Sequence, residues 1–83
     1  MSVRVDRTPN PAAMKFTVGS PVGGPATVTD GSAAEGWIAE ILAIDGVASV
    51  FMTADFVTVT AAPTTDWETV SPRIVVALEN RFG

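Results

Sequence analysis

Val3 and Val5 alternate with Arg4 and Asp6 near the start of the chain, the period of two expected of a strand with one covered face. After Thr8-Pro9-Asn10-Pro11 the alternation resumes, with Met14, Phe16 and Val18 on one side and Lys15 and Thr17 on the other. The pattern predicts strands over about 3–7 and 14–18, paired antiparallel across a corner that two prolines stiffen. A loop rich in Gly and Pro follows at 19–25, and Ala26-Thr27-Val28-Thr29 predicts a short edge strand. Residues 47–53 and 56–61 are rich in Val, Phe and Thr, and only Ala54-Asp55 separates them, the spacing of a tight hairpin. Val57 and Val59 then share one face, and Thr58 and Thr60 the other.

Two stretches follow a helical period instead. Ser32 and Glu35 stand at the capping-box spacing, and Trp37, Ile38, Ile41, Leu42 and Ile44 make a broad apolar stripe, predicting a helix from Ser32 to about Ile44. Gly36 should weaken its first turn by about 1 kcal/mol relative to Ala, and Gly46 is placed to end it in left-handed geometry. Thr65 and Glu68 repeat the capping-box spacing before a stripe of Trp67, Val70, Ile74, Val75, Leu78 and Phe82. Pro72 interrupts that second helix, and the pattern favours one kinked helix over a restart at Ser71-Pro72. The order ββ(β)αββα predicts an α+β two-layer sandwich. A mainly antiparallel sheet carries both helices on one face, and Thr58 and Thr60 point to the open one.

Composition narrows the chemistry. The chain has 83 residues, room for one domain spanning 1–83, and 47% are hydrophobic, enough for a packed core. Five Lys+Arg against nine Asp+Glu give a net charge of −4, the wrong sign for a general grip on nucleic acid. The apolar runs around 41–44 and 74–78 fall far short of the roughly 20 residues that cross a bilayer, so no membrane span is expected. The charged N-terminus offers no signal-peptide core, and a cytoplasmic location is expected. Cys and His are both absent, which removes thiolate ligation, imidazole ligation, the thiol nucleophile and the usual general base. Glu35 and Glu40 do not share a helix face, and no calcium-loop spacing occurs. No catalytic residue, metal site or cofactor is therefore expected.

The cluster of unusual character is Thr8-Pro9-Asn10-Pro11 with Lys15-Phe16. It reads either as a structural corner or as a preorganised recognition patch, in which Thr8 and Asn10 supply polar groups and Lys15 a positive charge. A variant of the second reading makes Lys15 and the corner a site for a small anion or a phospho-peptide. Asp55-Phe56 poses a similar choice: a turn-forming Asp and a Phe closing the core, or a second contact point. Trp37 and Trp67 open their helical stripes and read as core.

Four blocks in series carry a resemblance: Thr8-Pro9-Asn10-Pro11-Ala12-Ala13-Met14-Lys15-Phe16, Ile44-Asp45-Gly46-Val47-Ala48-Ser49-Val50-Phe51, Asp55-Phe56-Val57-Thr58-Val59-Thr60, and Trp67. Their order and spacing resemble the N-terminal domain of the Nfu/NifU-like iron–sulfur scaffold proteins, over about Val3 to Phe82. The resemblance implies a compact α+β domain connected with iron–sulfur cluster assembly. In longer relatives a second domain with a Cys-x-x-Cys pair holds the cluster; a chain without cysteine should hold none. What remains is an accessory role, contact with an iron–sulfur scaffold, carrier or client protein, with Thr8, Asn10 and Lys15 as contact residues and Asp55 as a further one. The family strand after the hairpin usually ends in Lys, where this chain has Ala61.

Overall fold

The computed structural model describes residues 3–29 and 36–82. Among these residues five strands form one antiparallel sheet: β1 (Arg4–Arg7), β2 (Ala13–Thr17), β3 (Ala26–Val28), β4 (Val47–Thr53) and β5 (Phe56–Ala61), in spatial order β1-β2-β5-β4-β3. Two helices, α1 (Gly36–Leu42) and α2 (Trp67–Phe82), complete the expected order. Register assigns each side chain to a face. Phe16 lies opposite Val57, and Met14 and Val50 both lie opposite Val59, so these side chains stand together under the helices. Lys15 and Phe51 both lie opposite Thr58, and Ser49 opposite Thr60, on the face that neither α1 nor α2 covers. The predicted threonine face is confirmed.

Both helices pack on the other face. Ile41 of α1 and Val70, Ile74, Ala77 and Leu78 of α2 join Phe16, Val50, Val57 and Val59 in one apolar cluster. Phe16, Ile41, Ile74, Leu78, Val50, Val57 and Val59 are fully buried, each contributing about 1.5–3 kcal/mol by leaving water. Trp37 and Phe82 meet edge to face, with ring centroids 5.2 Å apart, and close the helix pair.

The helix ends depart from expectation. The capping box at Ser32 lies outside the described residues. Regular α1 stops at Leu42 rather than Ile44; the chain then tightens, Ala43 N–H bonding to Ala39 O at 3.0 Å and Ile44 N–H to Ile41 O at 3.1 Å. Gly46 has the left-handed φ of +98° expected of it, and a Cβ there would stand 2.7 Å from Thr65 Oγ1. For α2 the cap is Asp66, not Thr65. Its Oδ1 accepts the Glu68 N–H at 3.1 Å and its Oδ2 the Thr69 hydroxyl at 3.0 Å. Asp is the stronger cap here because its carboxylate also neutralises the helix N-terminus. The Thr65 hydroxyl turns instead to Gly46 O at 3.4 Å. Pro72 is accommodated inside one continuous helix of 16 residues.

A further departure concerns the first strand. Val5 is 41% exposed although it shares the core side with Phe16, because β1 is an edge strand and the helices do not reach over it. The loop after β2 is pinned at its base and middle: Val18 N–H bonds to Asp55 O at 2.9 Å, Val22 N–H to Ala54 O at 3.0 Å, and Val22 is buried.

A rigid corner and cleft at the edge of the sheet

The Thr8–Pro11 corner joins β1 to β2 and is held by hydrogen bonds among its own polar groups. The Thr8 hydroxyl stands 2.8 Å from Asn10 O and 3.1 Å from Ala13 O, sharing its proton between them, and it accepts the Asn10 N–H at 3.1 Å. Asn10 Oδ1 accepts the Ala12 N–H at 2.9 Å, an Asx turn, and Asn10 O accepts the Ala13 N–H at 3.0 Å. Pro9 and Pro11 fix φ on either side and bring no N–H that needs a partner. The corner is thus rigid without being buried: Pro9, Asn10 and Pro11 are all exposed.

A long-range bond ties the corner to α2. The indole Nε1–H of Trp67 donates to Pro11 O at 3.3 Å, across 56 residues of sequence. Trp67 can reach because Asp66 starts the helix immediately beside the end of β5, where Ala61 N–H bonds to Ala12 O at 2.8 Å. Between the corner and the indole lies a cleft of about 180 Å³, lined by Arg7, Thr8, Pro9, Asn10, Pro11, Ala13, Met14 and Trp67. Arg7, Ala13, Met14 and Trp67 are the members that the sequence patterns did not assign to a site. Trp67 had a signal, since it is one of the four blocks of the resemblance, but its place in an apolar stripe suggested core alone. It serves both purposes, half-buried against the core and facing the cleft.

The four residues singled out from the sequence do not converge. Thr8 and Asn10 line the cleft. Lys15 lies on the open sheet face, and its ammonium sits 4.4 Å from the centroid of the Phe56 ring, a cation–π contact that draws it away from the corner. Phe56 is itself a correction: it does not close the core but shares the open face with Thr58 and Thr60, two and four residues on. Asp55 is exposed at the tip of the β4–β5 hairpin, at the far end of β5 from the corner. Six residues of strand put about 17 Å between those ends. Thr8 and Asn10 therefore form one locus, while Lys15 and Asp55 belong to others. The open face carries Phe51 and Phe56 among threonines, with an Arg4–Asp6 ion pair at 3.1 Å on β1.

Among the described residues no group of three acidic side chains gathers as a metal site, and no helix is long and apolar enough to cross a membrane. The family model described as "Scaffold protein Nfu/NifU N terminal" matches residues 3–83. NifU-like protein 5, mitochondrial, of Arabidopsis thaliana is 38% identical over 87 residues, covering all of this chain and 32% of the relative. Conserved virulence factor C of Staphylococcus haemolyticus is 36% identical over 81 residues, covering 94% of this chain and 22% of that protein. The chain thus spans a third or less of the length of these relatives. The crystal structure of protein SAV1430 from Staphylococcus aureus superposes with a TM-score of 0.75 at 30% identity, covering 93% of this chain and 98% of that one.

Proposed function

Because the chain belongs to the Nfu/NifU N-terminal family, whose members are linked to iron–sulfur cluster assembly, we propose that it works there as a noncatalytic contact module. Its partner is a scaffold, a carrier or a client protein, and the Thr8–Pro11 corner is where contact is made. The observation that carries this reading is the corner itself, an exposed loop whose backbone is locked by internal hydrogen bonds and by Trp67. Such a loop loses little conformational entropy on docking, so more of the contact energy is left as affinity. These 83 residues have no cysteine or histidine, so thiolates for a cluster would come from outside them. The cytoplasm is the setting we assign to it, to be checked by cell fractionation.

The test is a titration of isotope-labelled chain with a purified, cysteine-bearing NifU-type scaffold, and then with a carrier and an apo-client. Saturable shifts at residues 8–13 are expected with at least one of them. Asn10→Ala removes the acceptor that holds the Ala12 N–H and should weaken binding about tenfold, the usual cost of a contact residue near the centre of an interface. Binding with no difference between wild type and Asn10→Ala, or no binding to any of the three, would end this reading.

A further inference from the structure

Among the described residues the side-chain hydrogen bonds around the cleft can be followed one by one. Thr8 gives its proton to Asn10 O and Ala13 O and accepts from Asn10 N–H. Trp67 has one N–H, and Pro11 O takes it. Asn10 must present Oδ1 to the Ala12 N–H, since only an acceptor can stand there, and its Nδ2 amide group is therefore turned outward. Arg7 lines the same cleft and forms no ion pair among the described residues. The carbonyls of Asn10, Pro11, Ala12 and Ala13 are already accepting; those of Thr8 and Pro9 accept no bond among the described residues, so the donor excess is one of side chains. What the side chains still offer is a guanidinium and an amide NH₂, all donors, above a floor of Met14, Ala13, proline rings and indole.

From this imbalance we infer that the cleft takes a carboxylate with an aliphatic side chain beside it, presented by an extended segment of the partner protein. Two carboxylate oxygens match one guanidinium fork and one amide. The aliphatic group matches the floor; about 180 Å³ is comparable with the ~150 Å³ engineered cavities that hold benzene. With a net charge of −4 the whole molecule does not attract acids, so these local donors must supply the selectivity. The inference rests on the contact reading above and specifies what that contact recognises. The carboxylate has two sources, a chain end or an Asp or Glu side chain.

Three short peptides separate the alternatives: one ending in Leu with a free carboxylate, the same peptide amidated, and an amidated peptide with Asp beside Leu. The readout is the side-chain NH signals of Asn10 and Trp67, easily assigned in a chain with two Asn, two Trp and no Gln. The free acid or the Asp peptide should shift both signals saturably and bind about tenfold more tightly than the amidated Leu peptide, the worth of one charge-assisted pair. Response to the free acid alone identifies a chain end as the source, and equal response to the Asp peptide identifies a side chain. Asn10→Asp keeps the acceptor for Ala12 N–H but replaces the outward amide by an anionic oxygen. It should abolish the response while leaving the Ala12 backbone signal in place. Arg7→Gln should erase the difference between acid and amide. Equal shifts with acid and amide, shifts centred on Lys15, or the same shifts with inorganic phosphate alone would overturn the inference. If the peptides fail while a scaffold still binds with Asn10→Ala impaired, the contact reading stands and only the carboxylate assignment falls.

Discussion

Gly36 and Ala54 show how a single backbone angle reverses a propensity argument. By composition Gly36 is a weak point at the start of a helix. In the fold its φ is +60°, where a Cβ crowds the next carbonyl at a cost of about 1–2 kcal/mol. Gly36→Ala should therefore destabilise the protein by about 1 kcal/mol instead of stabilising it. Ala54 is the converse, a residue with a Cβ held at φ 51° in the hairpin turn. Ala54→Gly should gain about 0.5–1 kcal/mol by releasing that strain. Urea denaturation of the two variants checks both signs, and a gain for Gly36→Ala would refute the left-handed assignment. Lys15 belongs at this scale too. Its parity in β2 was legible in the alternation, but its contact with Phe56 was not, because that depends on which strand lies beside it.

Among the elements, α2 tests how much a helix tolerates. Pro72 supplies no N–H to the carbonyl of Glu68, yet the helix runs through it. It survives because Val70, Ile74, Ala77 and Leu78 bury their face in the core on both sides of the break; packing outweighs the lost bond. Pro72 itself is exposed, so Pro72→Ala removes no packing and restores the bond. It should raise stability by about 1–3 kcal/mol, seen as a higher denaturation midpoint with unchanged slope. The cap illustrates the limit of reading by spacing. Thr65 with Glu68 has the capping-box spacing, whereas Asp66 is the better single cap, and the two signals disagree by one residue. Position decides: Thr65 is drawn to Gly46 O, which leaves Asp66 as the oxygen facing the open N–H groups.

For the molecule as a whole, the bond from Trp67 to Pro11 ties the start of α2 to the corner between β1 and β2. Trp67→Phe keeps the ring and removes the donor. It should cost about 0.5–1.5 kcal/mol and speed amide exchange at Ala12 and Ala13 while leaving the central strands protected. Unchanged exchange there would show that the corner holds itself. The strands, the helical stripes, the threonine face and the chemistry ruled out by the lack of Cys and His were all legible in the residues. Period two, period 3.6 and a missing donor atom are local or compositional properties, set before any long-range contact forms. The cleft was half legible: Thr8-Pro9-Asn10-Pro11 declares a stiff turn, but nothing in the order of residues places Arg7 and Trp67 around it. That juxtaposition, the parting of Lys15 and Asp55 from Asn10, and the outward turn of the Asn10 amide come from strand order and register. Those are decided only when distant segments bury their apolar faces together, a global free-energy balance that no local pattern contains.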